Sequence, residues 1–332
     1  MSARTPGPAP ADPFAGPGAR ARSALVKEIV ADGGLSDPGW RSAFAAVPRH
    51  LFVPCYFVNR SGVYERRWRE DPDPEERDRW LHGAYEDAPL ATRLRDGTLL
   101  SSSSQPSLMA RMLQALEVAP GDRVLEIGAG TGYNAALLAH RLGDAAVTTV
   151  DVEPEVVESA RRHLDEAGYH PVVAVGDGSR GHPGRAPFDA VIATCAPASV
   201  PDPWISQCRP GARIVAPLST GVVALRVGPD GRSAEGRFLH TSAYFVPLRG
   251  GAAPLEPGAG GLPRRAIEND LFRFLLTLTA GTLDPREALS LWEREHRPGR
   301  RRFGVTVGGG RQWAWLDDPE GPYAWPLGAA GA

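Results

Sequence analysis

Residues 124–132 read VLEIGAGTG, an apolar run carrying Glu126 that passes into Gly128, Gly130 and Gly132. Glycines at alternate positions let a backbone turn sharply and lie close to a ligand. The spacing is tighter than the G-x-G-x-x-G of dinucleotide-binding turns, and an acidic residue stands just before the first glycine. About twenty residues further on, VTTVDVEP closes a second apolar run with Asp151, placed to accept hydrogen bonds from both hydroxyls of a ribose. A third run ends VGDG, which sets Asp177 and Gly178 where an adenine amino group could be held. These positions suit a nucleoside-bearing ligand; Asp151 alone serves a methyl donor of that kind or NAD equally well. Upstream lies LLSSSSQPSLMARML, residues 99–113, with four consecutive serines followed by Gln105, Pro106 and Ser107. Taken alone the run reads as a flexible linker. Its place just before the glycine turn makes one of its hydroxyls a candidate for chemistry.

The elements that position these residues follow from periodicity. SLMARMLQAL, TGYNAALLAHRLG and EPEVVESARRHLDEAG have helical spacing, the last closing on Gly168. VLEI, AVTTVDV, PVVAVGDG, FDAVIATCA and GARIVAPL are short apolar runs between them. Strands separated by helix-length segments imply βαβ units and a parallel sheet covered on both faces. GVVALRVGPDG and GRFLHTSAYFVPL read as a hairpin closing the sheet edge. The expected fold is therefore α/β, a Rossmann-like doubly wound, mostly parallel seven-stranded sheet, with a small C-terminal α+β appendage.

Domain boundaries are read from composition. Residues 1–20, rich in Pro, Gly and Ala, are expected to be a disordered leader, and 21–248 the main domain. Residues 55–83, charged and aromatic, look like an inserted solvated excursion or a substrate-facing lid. Residues 249–261 form a Gly/Pro linker and 262–328 the appendage, which ends in the hairpin RFGVTV-GGG-RQWAWL.

The 332 residues carry a formal net charge of −2, which gives no basis for a nucleic-acid partner. Three cysteines at irregular spacing form neither a disulfide framework nor a zinc pattern, so no metal is expected and a reducing cytoplasm fits. No apolar run reaches membrane length. Cys195 reads as a small buried side chain, and His50 and His182 as surface or capping residues.

In order and wording the chain resembles a class I S-adenosylmethionine (SAM) methyltransferase, and in particular the protein-L-isoaspartate O-methyltransferase family. ALVKEIVADGGLSDPGWRSAFAAVPRHLFVP, AYEDAPL, SSQPSLMARML, VLEIGAGTGYNAALLA, GDGSRGHPGRAPFDAVIATCAP, CRPGARIVAP and FVPL carry the likeness, over roughly residues 22–248. The resemblance implies SAM as cofactor, with Glu126, Gly128, Gly130, Gly132, Asp151, Asp177 and Gly178 at its site. The family's acceptor segment reads Thr, an apolar residue, Ser, Ala or Gln, Pro, then His or Tyr. Laid on this chain it implies Ser104 as the active-site hydroxyl, with Ser102, Gln105, Pro106 and Ser107 as substrate-binding residues. The chemistry asks little of Ser104. A carboxylate with a reference pKa near about 4 is already ionised at neutral pH, so what it needs is orientation, not a base.

Three features depart from the family's pattern: Ser103 and Ser107 at acceptor positions, the 55–83 insertion, and the appendage. On these the expected acceptor is an aspartyl carboxylate in a ribosomal precursor peptide, whose methyl ester collapses to aspartimide and isoaspartate. The alternative is repair of isoaspartyl residues in damaged proteins. A catalytically dead SAM- or peptide-binding module and a nicotinamide oxidoreductase are the other classes; the intact Glu126, glycine turn, Asp151 and Ser104 argue against the first.

Overall fold

The structure is a computed structural model that describes residues 12–60, 63–250, 258 and 261–327. From the N-terminal side the chain builds α1 (Ala15–Ala31), α2 (Pro38–Ala46) and α3 (Arg49–Phe52). A hairpin of β1 (Cys55–Arg60) and β2 (Val63–Trp68), α4 (Pro74–Ala84), a second hairpin of β3 (Leu90–Arg95) and β4 (Thr98–Ser103), and α5 (Pro106–Ala115) follow. The centre runs β5 (Val124–Ile127), α6 (Tyr133–Leu142), β6 (Val147–Asp151), α7 (Pro154–Ala167), β7 (Val172–Val175), β8 (Phe188–Ala193), α8 (Asp202–Ser206), β9 (Cys208–Leu218), β10 (Gly221–Val227) and β11 (Ala234–Ser242). Last come α9 (Arg264–Ile267), α10 (Asp270–Leu278), α11 (Pro285–Arg294), β12 (Phe303–Gly308), β13 (Arg311–Leu316) and β14 (Ala324–Pro326).

Strands whose every side chain is apolar or buried belong inside a parallel sheet. β5 and β6 are buried at every position, and β5 pairs in parallel with both β6 and β8. Helices cover both faces. Trp40, Phe44, Leu113 and Leu137 pack on one, and Trp204, Phe272, Phe274 and Trp292 on the other. α7 starts with Pro154 at its first turn and stops at Gly168, whose φ of 78° suits a residue without a side chain.

The sheet is larger than expected and mixed. Its order is β14-β13-β12-β11-β10-β9-β8-β5-β6-β7, ten strands rather than seven, and from β9 to β14 every pairing is antiparallel. β12 pairs with β11 from Ala234↔Val307 to Arg237↔Gly304, so residues 262–327 extend the main sheet. The physical reason is edge protection: β11 would otherwise present a row of unpaired backbone groups. The short β14, ending at Pro326, blunts the new edge.

Two further expectations change. α1 begins at Ala15, inside the expected leader, because Leu25 and Ile29 anchor it in the core; residues 1–11 lie outside the described residues, as does most of the 249–261 linker. The 55–83 segment contains buried structure: Tyr56 Oη donates to the carbonyl of Trp80 at 2.9 Å, and Trp80 Nε1 to that of Val53 at 2.9 Å.

Candidate active site

The chain winds from β5 through β6 to β7 on one side, then returns to β8 on the other side of β5. That reversal opens a crevice beyond the carboxyl ends of the strands. It measures about 530 Å³ and is lined by Ile127, Gly128, Gly130, Asp151, Gly178 and Thr194 from the sheet ends. Ser101 and Ser102 of β4 and the strap Val246–Arg249 complete it. Gly128 has φ 97°, and a Cβ there would lie 2.5 Å from Thr194 Oγ1. Asp151 is 8% exposed. Its Oδ2 accepts from Gly130 N (3.2 Å) and its Oδ1 from Glu153 N (3.2 Å), so the carboxylate pins the turn it faces. Arg249 reaches across from the strap, with Nη2 3.4 Å from Asp151 Oδ1 and Nη1 2.7 Å from Glu153 Oε1.

A second pocket of about 330 Å³ shares Ser102, Gly128, Gly130 and Thr194 with the crevice and adds Ser103, Ser104, Glu126, Tyr133 and Asn134. Glu126 is fully buried, and burial pushes its carboxyl up to about 7. Its Oε1 accepts from Asn134 Nδ2 at 2.7 Å and the Thr149 hydroxyl also supports the carboxylate, while Asn134 Oδ1 has no donor. A buried acceptor without a donor is costly, and one beside a buried carboxylate in the lining of one pocket calls for a cationic or N–H-rich group. The residues therefore fit SAM: a ribose acceptor and a glycine cradle in the crevice, and an ammonium-sized acceptor pair next door.

The serine run is not a linker. Asp96 (φ 51°) and Gly97 (φ 76°) make the tight turn between β3 and β4, which places Ser101–Ser103 in an edge strand and Ser104 just beyond it. Ser102 lines both pockets and Ser104 the second. The rest of the segment is used by the fold. Gln105 Nε2 and Ser107 N donate to Asp87 Oδ2 (3.0 Å) and Oδ1 (2.8 Å), so Asp87 caps α5 from outside. Pro106 and Ser107 are buried, and neither they nor Gln105 lines either of these two pockets.

Two expected donor contacts are also engaged by the fold. Asp177 does not line the crevice; its Oδ1 accepts from Ser179 N (2.9 Å) and Oγ (2.7 Å), capping a short 3₁₀ turn. Gly132, φ 87°, is required by packing: a Cβ would lie 3.2 Å from the Ala160 carbonyl and Leu164 Cγ of α7. His50 is not a surface residue. It is 1% exposed, its Nδ1 2.7 Å from Tyr85 Oη and its Nε2 2.9 Å from Asp12 Oδ2. Burial pushes the Cys195 thiol up to about 12, so this crevice residue is inert at neutral pH. Among the described residues no group of three His, Cys, Asp or Glu side chains converges to hold a metal ion.

Sequence reasoning missed Thr194, Asn134, Arg249 and Arg49. The end of β8 could have signalled Thr194, because strand ends beside a switch point bind ligands. Arg49 carries no motif. It is fully buried, and its guanidinium donates to the carbonyls of Ala84 (3.0 Å), Glu86 (3.0 Å), Ala88 (3.1 Å) and Ser104 (3.2 Å). One side chain thus ties the 84–88 loop to the serine segment.

Comparisons with known proteins show the family. Residues 75–251 match the family model of protein-L-isoaspartate(D-aspartate) O-methyltransferase. The protein-L-isoaspartate O-methyltransferase of Aeropyrum pernix is 36% identical over 254 residues, covering 74% of this chain and 85% of its own. That of Hyperthermus butylicus is 36% identical over 247 residues, covering 69% and 89%. A solved protein-L-isoaspartate O-methyltransferase superposes with a TM-score of 0.61 at 22% identity, over 93% of this chain and all of that one. A solved putative enzyme of that name from Plasmodium falciparum, in complex with S-adenosyl-L-homocysteine, gives 0.51 at 14% identity, over 69% and 98%. The first of these likenesses of fold reaches well into residues 262–327, since it covers 93% of the chain.

Proposed function

We propose, from the premise that the chain belongs to the protein-L-isoaspartate O-methyltransferase family, that it methylates the free carboxylate of isoaspartyl residues in proteins or peptides. It is a SAM-dependent methyltransferase of that type. When bound, SAM supplies an electrophilic methyl group on a sulfonium centre. Asp151 would accept the ribose hydroxyls, Gly128 and Gly130 would admit the donor against the turn, and Gly178 would lie beside the base. Glu126 with Asn134 would accept from the ammonium. Ser104 would donate to the acceptor carboxylate and orient it.

The observation that carries the reading is the meeting of the two pockets at Ser102, Gly128, Gly130 and Thr194. A donor in the crevice and a carboxylate near Ser104 would face each other there, and orientation is what the reaction requires. The precursor-peptide acceptor, expected from the sequence departures, has less behind it. The relatives' names carry isoaspartate, and the C-terminal extension that set the chain apart has a counterpart in a solved structure. A setting inside the cell belongs to the same proposal, since Cys55, Cys195 and Cys208 are all free thiols. No helix among the described residues is long and apolar enough to cross a membrane.

The test is mass spectrometry of the enzyme with SAM and two peptides that differ only in isoaspartyl or aspartyl linkage. The isoaspartyl peptide should gain one methyl group and its twin none. Methylation of the aspartyl twin alone, followed by loss of methanol to the aspartimide (a net loss of water from the starting peptide), would return the acceptor to the peptide-maturation reading. Ser104→Ala should lower kcat about tenfold, the worth of one hydrogen bond of about 1.4 kcal/mol, with donor affinity unchanged. If Ser102→Ala causes that loss and Ser104→Ala is silent, the acceptor register is shifted by two.

Glu126 makes donor binding pH-dependent. Its carboxyl titrates near 7 without a ligand, and an ammonium partner favours the ionised form. Binding then releases a proton, so affinity should rise with pH below about 7, by up to tenfold per unit, and level off above. In calorimetry from pH 5.5 to 8.5, Glu126→Gln should flatten that profile. A wild-type profile already flat through pH 7 would remove Glu126 from the ammonium site.

A further inference from the structure

A third cavity, of about 630 Å³, opens between β3, β4 and α7. It shares Gly130 with both pockets already described and Ser101 with the donor crevice, so it adjoins the reaction site. Its walls hold the guanidiniums of Arg93 and Arg162 and the hydroxyls of Thr92, Ser101, Thr131 and Ser159, with no carboxylate among its lining residues. His163, also in the wall, is lowered in pKa by burial and is neutral at pH 7, so the positive charge comes from the two arginines. Arg162 is exposed and donates to Ser159 Oγ at 3.1 Å. Arg93 pairs with Glu155 at 2.7 Å, but that carboxylate is 74% exposed, and such surface pairs hold their partners weakly. Both guanidiniums are therefore free to turn to a second anion, which their planar forks suit.

We infer that this cavity is a subsite for the carboxylate of an acidic residue in the acceptor chain, about three residues from the isoaspartyl residue. The inference rests on the isoaspartyl reading above. The spacing comes from β4, which runs from Ser101 in this cavity to the acceptor segment ending at Ser104 in the second pocket. Three steps at about 3.3 Å each make about 10 Å, and an extended acceptor lying along that edge spans it with the same number of residues.

The experiment uses isoaspartyl peptides that carry Glu, Gln or Lys three residues to either side of the isoaspartyl residue. In the wild type, the Glu peptide on one side should have a KM about tenfold below its Gln twin at equal kcat, with the Lys peptide poorer than both. Arg162→Gln and Arg93→Gln should each erase most of the Glu advantage and leave the Gln peptide unchanged. Equal KM for Glu and Gln peptides on both sides, or variants that weaken all peptides alike, would overturn the subsite. If no isoaspartyl peptide is turned over, the isoaspartyl reading fails separately. Fluorescence anisotropy of the same peptides on protein loaded with S-adenosylhomocysteine still reads the subsite: tighter binding of the Glu peptide supports it, and equal binding overturns it.

Discussion

Asp151→Ala should weaken S-adenosylhomocysteine binding by about a hundred- to ten-thousandfold, read by titration calorimetry. A charge-assisted hydrogen bond is worth about 1.5–3 kcal/mol, and a carboxylate receiving both ribose hydroxyls makes two, for about 3–6 kcal/mol. The structure adds a second route to the loss. Asp151 Oδ2 accepts from Gly130 N, so the alanine variant also releases the turn against which the donor would lie. Asp151→Asn separates the two effects. Its amide oxygen can still accept from Gly130 N or from one hydroxyl, and the variant should fall between wild type and alanine. Arg249 keeps its contact with Glu153 in every variant, so the strap stays tethered. Unchanged affinity in the alanine variant would mean that the ribose is not at the end of β6, and the donor assignment would fall with it.

That assignment was legible because its signals are local. VLEI and VTTVD are short runs dominated by apolar and β-branched residues, and a run buried on both sides must be an interior strand. The glycines and Asp151 then stand at carboxyl ends, where a parallel sheet binds ligands. The serine run was legible only in part. Asp96–Gly97 between LATRLR and TLLSSS is a hairpin signal in the bare sequence, and it puts Ser101–Ser103 in a strand. Reading it would have removed the linker interpretation without any family resemblance. Asp177 and Gly132 show what local reading leaves out. Both sit at the end of a strand or the start of a helix as expected, yet the side chain of one turns to Ser179, and the other is fixed by the approach of α7. The ten-stranded sheet was not legible, because the pairing of β11 with β12 joins residues some seventy positions apart and leaves no periodic trace. The hairpin RFGVTV-GGG-RQWAWL, expected to end a separate appendage, instead extends the methyltransferase sheet.

Arg49→Met is the second large effect, and it concerns the acceptor side. The side chain is fully buried, yet among the described residues its guanidinium bonds no carboxylate; its contacts are mainly backbone carbonyls on two segments, 84–88 and 103–104. Methionine fills similar volume and removes the cost of burying a charge, which offsets part of the loss. It also leaves up to five carbonyls without this donor, each worth about 1–3 kcal/mol where no water replaces it. The net expectation is a destabilisation of about 3 kcal/mol in chemical denaturation. Stability alone would not distinguish this arginine from any other core residue. A positioning role predicts a split: donor affinity within about twofold of wild type, because none of the described residues assigned to the donor hydrogen-bonds Arg49, and a rise of about tenfold or more in the acceptor KM, because Ser104 and the 84–88 loop lose their common tether. Arg49→Lys should recover little of the KM, since a single ammonium cannot span carbonyls that the planar fork reaches from both nitrogens. A variant that unfolds earlier but keeps the wild-type acceptor KM would reduce Arg49 to a structural residue. One with both losses and intact donor binding would show that the serine segment is aimed from behind by a buried charge, in a protein whose reaction needs aim more than it needs a base.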